Sequence, residues 1–216
     1  MIEQRTYARL SGFLLLWLIV TGLSGLIITA RVAGSGSFTE TAKRVTASER
    51  LYRVGVVSEL IETTSAALLA FCLYATLRPV DKMLAQMAMY FRLGESFIGG
   101  AGTAFDFAKL GLYTKPTAHS EALLSFMHGF DVASYNITAL FFSIGSLLFY
   151  CVFLKSTYLP KAVSVLGIVA SVIVTIICFG DLLFPEYSGT LKYGWIPMAL
   201  AEVVTGIWLM IFGARE

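Results

Sequence analysis

The sequence predicts an all-α polytopic membrane protein, a bundle of six transmembrane helices with both termini cytoplasmic. Three observations lead there. Hydrophobic residues make up 57% of the 216-residue chain and charged residues 14%, against about 45–50% and about 25% in soluble domains. Six apolar runs, at 10–30, 51–77, 84–110, 122–154, 162–184 and 193–213, each reach the roughly 20 residues that cross about 30 Å of hydrocarbon. They lack the period-two alternation of strands, and in lipid only helices and closed barrels satisfy their own backbone polar groups.

The first run follows Arg5 and Arg9 and ends near ITARVAG. It exceeds the roughly 7–15 apolar residues of a signal peptide, so it is expected to stay as the first membrane helix. Residues 31–50 then hold the flexible Gly34-Ser35-Gly36-Ser37 turn and an interfacial stretch, where Thr39 is expected to cap a short helix. The second and third runs are joined at LRPVDK, the fourth and fifth at LKSTYLPK, and the fifth and sixth at FPEYSGTLKYG, all punctuated by proline or glycine. The fourth run is longer than a crossing needs, which predicts tilt or extension past the bilayer. No composition shift marks a second domain, so residues 1–216 form a single integral membrane domain.

Lysine and arginine in the short connections set the orientation. Arg5, Arg9, Arg78, Lys82, Lys155, Lys161 and Arg215 share one side with the termini, and Lys109, Lys115 and Lys192 lie on the other. The basic 31–50 loop runs against the rule, but three separate connections put the termini inside. The net charge of +2, with no basic cluster, excludes nucleic acid and leaves the lipid bilayer as the evident partner. Cys72, Cys151 and Cys178 fall in apolar runs without a CxxC pair, so they read as buried hydrophobes.

The fourth run carries HGFDVASYN at 128–136: a histidine, an aspartate, a tyrosine and an asparagine within nine residues. One charge at the centre of a membrane helix costs about 2.5–3.5 kcal/mol on insertion scales, so ionisable residues there face the bundle interior or a water-filled cavity. Spacing agrees. Arg92, Glu95, Gly99, Gly102 and Asp106 fall on one helix face, as do His128, Asp131, Tyr135 and Thr138, while Glu59 and Glu62 are one turn apart. Five carboxyl groups at depth, on Glu59, Glu62, Glu95, Asp131 and Glu202, meet one permanent cation, Arg92, and at most a second in His128. The surplus carboxyl groups are expected to hold protons or share a bound cation. Asp106, Lys109 and Asp181 are read as reaching the interface.

These residues define the expected ligand site: Glu59, Glu62, Arg92, Glu95, His128, Asp131, Tyr135, Asn136 and Glu202. The planar guanidinium of Arg92 suits an anionic group, or else pairs with Glu95 on the next turn. A carboxylate beside His128 would let it shuttle protons. Glu59, Glu62, His128 and Asp131 are also the metal candidates, an oxygen-rich set with one imidazole, although the ExxH of helical di-iron proteins is absent. No P-loop, dinucleotide fingerprint, GxSxG, HExxH or haem-attachment motif occurs, and the sequence names no cofactor.

Three stretches, MAMYFRLGES, STYLPKAVSVLG and IPMALAEVVTGIWLMIFGARE, carry a resemblance. An LP-(K/R) turn leading into a glycine-containing helix, closed by a Glu-x(5)-Trp-Leu helix, resembles the bacterial membrane family called domain of unknown function 4386. The resemblance spans nearly the whole chain. It implies a small multi-pass protein of the bacterial inner membrane and transfers no chemistry.

The expected function is binding of a small molecule or cation in an acidic intramembrane cavity opening to the outer side, with coupled protonation, as in transport or sensing. The alternative is a membrane-embedded enzyme using a Glu/Asp/His acid–base set on a lipid or isoprenoid substrate. A third is a structural subunit in which buried charges only join helices.

Overall fold

The computed structural model describes residues 2–184, 186 and 192–214. Among these, seven α-helices and one 3-10 turn account for the regular structure: α1 (Ile2–Ala33), α2 (Phe38–Ala47), α3 (Glu49–Leu77), α4 (Lys82–Thr114), α5 (Ser120–Lys155), α6 (Lys161–Leu183), the turn Lys192–Trp195 and α7 (Ile196–Phe212). The expected 184–194 connection lies largely outside the described residues, as does Arg215.

α1, α3, α5, α6 and α7 are each long and apolar enough to cross a membrane, α7 together with the end of the 3-10 turn. α4 matches them in length, at 33 residues, but Arg92, Glu95, Asp106, Lys109 and its glycines make it less apolar. It packs between α3 and α5. The long helices neighbour one another in chain order, α1 on α3, then α4, α5, α6 and α7, and α7 returns to α1. The result is a closed ring of antiparallel helices with both termini at one end. Its outer surface presents Leu26, Leu68, Phe97 and Ile176, and so meets lipid.

Small residues set the closest crossings. A Cβ on Gly12 would strike the backbone of Gly206 and Met210, so these two glycines let α1 and α7 close the ring. Gly25 and Gly55 do the same for α1 and α3. Most helix hydroxyls satisfy themselves on a carbonyl one turn back, as Ser11 does on Tyr7, Thr21 on Trp17, and Thr76 on Cys72. The apolar core lies toward the terminal end, where Leu69, Leu77, Phe153 and Leu209 are fully or almost fully buried. There Gln4 bridges helices by donating to the Thr76 carbonyl at 3.0 Å and the Tyr158 hydroxyl at 2.7 Å. Asp81 caps α4 at the Leu84 N–H and also accepts from Lys155 Nζ at 2.7 Å, tying α4 to the end of α5.

At the far end the 31–50 segment is ordered. Gly34 (φ 62°) and Gly36 (φ 141°) make the turn out of α1, a conformation glycine adopts freely. Arg44 donates to the Ala33 and Ser35 carbonyls at the end of α1, a favourable place for a cation. The cap of α2 is Ser37 rather than Thr39. Its hydroxyl accepts from the Glu40 N–H while the Glu40 carboxylate accepts from the Ser37 N–H, a full capping box. The box requires an acid three residues on, and Ser37 has one where Thr39 does not. α2 then packs on α4, with Val45 joining Val32, Tyr52, Val56 and Leu110 in a small second core.

Candidate functional site

Three acids and one arginine reach a common space. A cavity of about 390 Å³ lies inside the ring, and Glu62 of α3, Arg92 and Glu95 of α4, and Glu202 of α7 line it. The remaining wall is mostly apolar: Leu15, Leu18 and Leu23 of α1, Ala139 of α5, and Met198 and Ala199 of α7. Tyr135 and Phe142 of α5 and Trp195 form an aromatic side, with Trp195 6.2 Å from the Tyr135 ring and 6.0 Å from the Phe142 ring. The cavity reaches partly exposed residues such as Leu23 and Tyr135 in the half of the ring away from the termini. Toward the termini, a void of about 20 Å³ shares Arg92 and Glu202 with it, room for roughly one water. Below, the Tyr150 hydroxyl meets Thr205 Oγ1 at 3.2 Å.

Backbone choices place these side chains. Gly145 on α5 lets the Arg92 stem lie against it, because a Cβ there would come within 2.8 Å of Arg92 Cγ. Gly22 on α1 receives the Glu62 stem, where a Cβ would stand 3.2 Å from Glu62 Cγ. The Arg92 guanidinium lies 4.6 Å over the Phe142 ring, a cation–π contact. Its Nη1 is 3.0 Å from Glu95 Oε2, and only 3% of Arg92 and 8% of Glu95 are exposed. This pair leaves atoms without hydrogen bonds: Arg92 Nε and Nη1, Glu95 Oε2 and, on the same wall, Thr138 Oγ1. Buried polar atoms in that condition are rare.

The expected site is divided. Glu62, Arg92, Glu95, Tyr135 and Glu202 line the cavity. Glu59, His128 and Asp131 do not. Glu59 sits one turn nearer the far end, accepts from Thr29 Oγ1 at 3.2 Å, and packs its stem on Gly25. His128 is exposed and, with Asp131, lines a separate hollow of about 350 Å³ beside Phe38, Thr41 and Tyr113. Along α5, His128 lies seven residues before Tyr135, about 10 Å at 1.5 Å per residue. Asn136 is buried and donates to the Val132 carbonyl at 3.0 Å, away from the cavity. The four metal candidates do not gather: among the described residues no group of three or more His, Cys, Asp or Glu side chains is placed to hold a metal ion.

Lys109 corrects the charge count. Expected at the interface, it is buried and bridges Asp106 at 2.6 Å on its own helix and Asp131 on α5. Asp131 therefore has its own cation. The 3-residue spacing of Asp106 and Lys109 was the available signal, and the cross-helix half required the packing. Asp181 also departs from expectation, since its Oδ1 is buried without a hydrogen bond. Phe142 and Trp195 of the aromatic wall were missed as well, because rings on two separate elements share no sequence pattern. Glu95 and Glu202, each followed by glycine four residues on, both reach the cavity. The glycines differ: Gly99 meets Thr63 and Thr138, while Gly206 meets Leu16 and the Gly12 carbonyl.

Neither curated proteins nor solved structures give a match to the chain. Residues 10–213, nearly its whole length, match the family described as Domain of unknown function (DUF4386), and the chain belongs to that family.

Proposed function

We propose that the protein binds a small molecule in the cavity inside its helix ring, with protons exchanged on Glu62, Glu95 or Glu202 as the ligand enters and leaves. One observation carries the reading: a buried arginine and three carboxyl groups share the wall of an otherwise greasy space of ligand size. Ligand pockets have this make-up, a mostly apolar lining with a few polar groups that fix orientation. Helices joined only by structural glue would have their buried polar atoms hydrogen-bonded, and Arg92 Nε and Nη1, Glu95 Oε2 and Thr138 Oγ1 are not. With one guanidinium and three carboxyl groups, the empty cavity is neutral only when two carboxyl groups carry protons, which links occupancy to protonation. Lysine and arginine in the short connections favour cytoplasmic termini, so we place the cavity, which lies toward the far end, on the outer side of a bacterial inner membrane. Transport or sensing would follow from the same binding step.

Native mass spectrometry tests the reading. Protein released from its own membranes should carry a small molecule that is absent when Ala199→Trp fills the cavity, while lipids on the outer surface persist in both. If the two proteins carry the same adducts, the cavity is not the binding site.

A further inference from the structure

The lining charges identify the ligand class. Among the described residues, Arg92 is the one cation on the cavity wall. Its guanidinium stands 3.0 Å from Glu95 and lies over the face of Phe142. Sequence alone offered Arg92 as an anchor for an anion, but its Nε and Nη1 are sealed off from the cavity, against Glu95 and Phe142. Glu62 on α3 and Glu202 on α7 line the same space, and neither has a hydrogen bond or ion pair to another described residue. Both are half-buried and line the cavity. Two acceptors without hydrogen-bond donors face a space whose wall, apart from Arg92, Glu95 and Thr138, is mostly apolar and aromatic.

We infer that the cavity takes an amphiphilic amine: a compact apolar body against Leu15, Leu18 and Trp195, with its ammonium group between Glu62 and Glu202. This rests on the binding reading above and names its ligand. An ammonium donates hydrogen bonds to both carboxylates, and a nearby aromatic face favours the cation further. An anionic head would meet two carboxyl groups for which it has no donor. A neutral body of the same shape would gain the apolar contacts and leave the two acids unpartnered.

Three probes that differ only in the head group test this: 1-adamantylammonium, 1-adamantanol and 1-adamantanecarboxylate. Each is measured by equilibrium dialysis against the protein in nanodiscs, with empty nanodiscs subtracted for partitioning into lipid. The ammonium should bind about tenfold or more tighter than the alcohol, the scale of one charge-assisted hydrogen bond, and the carboxylate should bind weakest. Glu202→Gln should remove most of the ammonium advantage and leave the alcohol unchanged, and Glu62→Gln provides the same comparison if the first variant does not fold. If the alcohol or the carboxylate binds as well as the ammonium, the amine assignment is wrong while the cavity stands. If no probe binds beyond empty nanodiscs, both the assignment and the binding reading fail.

Discussion

Arg92 Nη1 stands 3.0 Å from Glu95 Oε2, one turn along the same helix, and neither atom has a hydrogen bond. The contact is an ion pair by distance without the alignment of a hydrogen bond. Both residues are more than nine-tenths buried. Breaking such a pair from one side leaves a charge with no counterpart, whereas removing both sides is often harmless. Arg92→Met should therefore lower stability by about 3 kcal/mol, measured by thermal unfolding in mild detergent. The double variant Arg92→Met/Glu95→Gln should recover most of that loss. Additive losses would show that the two residues are not coupled.

Glycines at the ring's crossings should divide into two kinds. A methyl group at Gly12 meets backbone of α7, which cannot move aside. Gly12→Ala should cost about 1–3 kcal/mol, the range for overpacking, and loosen the seam between α1 and α7. At Gly22 the same methyl meets only the Glu62 side chain, at 3.2 Å. Gly22→Ala should leave unfolding nearly unchanged and alter binding of the adamantyl probes. Equal losses of stability at both positions would contradict the assignment.

Asp81 supplies a pH dependence at the terminal end. The Lys155 ammonium, helped by the Leu84 N–H, holds its carboxyl below the ordinary aspartate value of 3.8. A depressed value contributes stability above the unfolded-state value and loses it as the pH falls through the folded-state value. Wild type should thus be slightly more stable than Asp81→Asn at neutral pH, by a small margin because Lys155 is largely exposed. The margin should hold down to about pH 5 and close below 3.8. A margin that grows in acid would have the wrong sign.

Orientation is open to a labelling test. Thr39 and Lys161 are both exposed and lie at opposite ends of the ring. In intact cells a membrane-impermeant maleimide should modify Thr39→Cys, and it should reach Lys161→Cys only after lysis. The reverse pattern would turn the protein over and put the cavity on the cytoplasmic side.

Most of the fold was legible because membrane helices announce themselves by length and apolarity. Five helices follow directly, and α4 was read as a further apolar run at 84–110, although its charges keep it below the apolarity of the other five. The far-end helix α2 was placed correctly but capped at the wrong residue, since the choice between Ser37 and Thr39 turns on the acid at Glu40. The site was legible only in part. Helix spacing shows which face is polar and roughly how deep a residue lies, so Glu62, Arg92, Glu95 and Glu202 could be singled out. It does not show which faces meet. Asp131 falls on the same stripe as Tyr135, yet Lys109 from α4 claims it, about one helical turn short of the cavity. Rings from separate elements, Phe142 and Trp195, meet only after folding.

The central claim is that Glu62, Arg92, Glu95 and Glu202 form one site where ligand binding and protonation are linked. Calorimetric titration with 1-adamantylammonium, repeated in buffers of different ionisation enthalpy, measures that link directly. Wild type should show saturable binding with proton release, and Glu202→Gln less release. Saturable heat that is the same in every buffer, or no saturable heat at all, would contradict that claim.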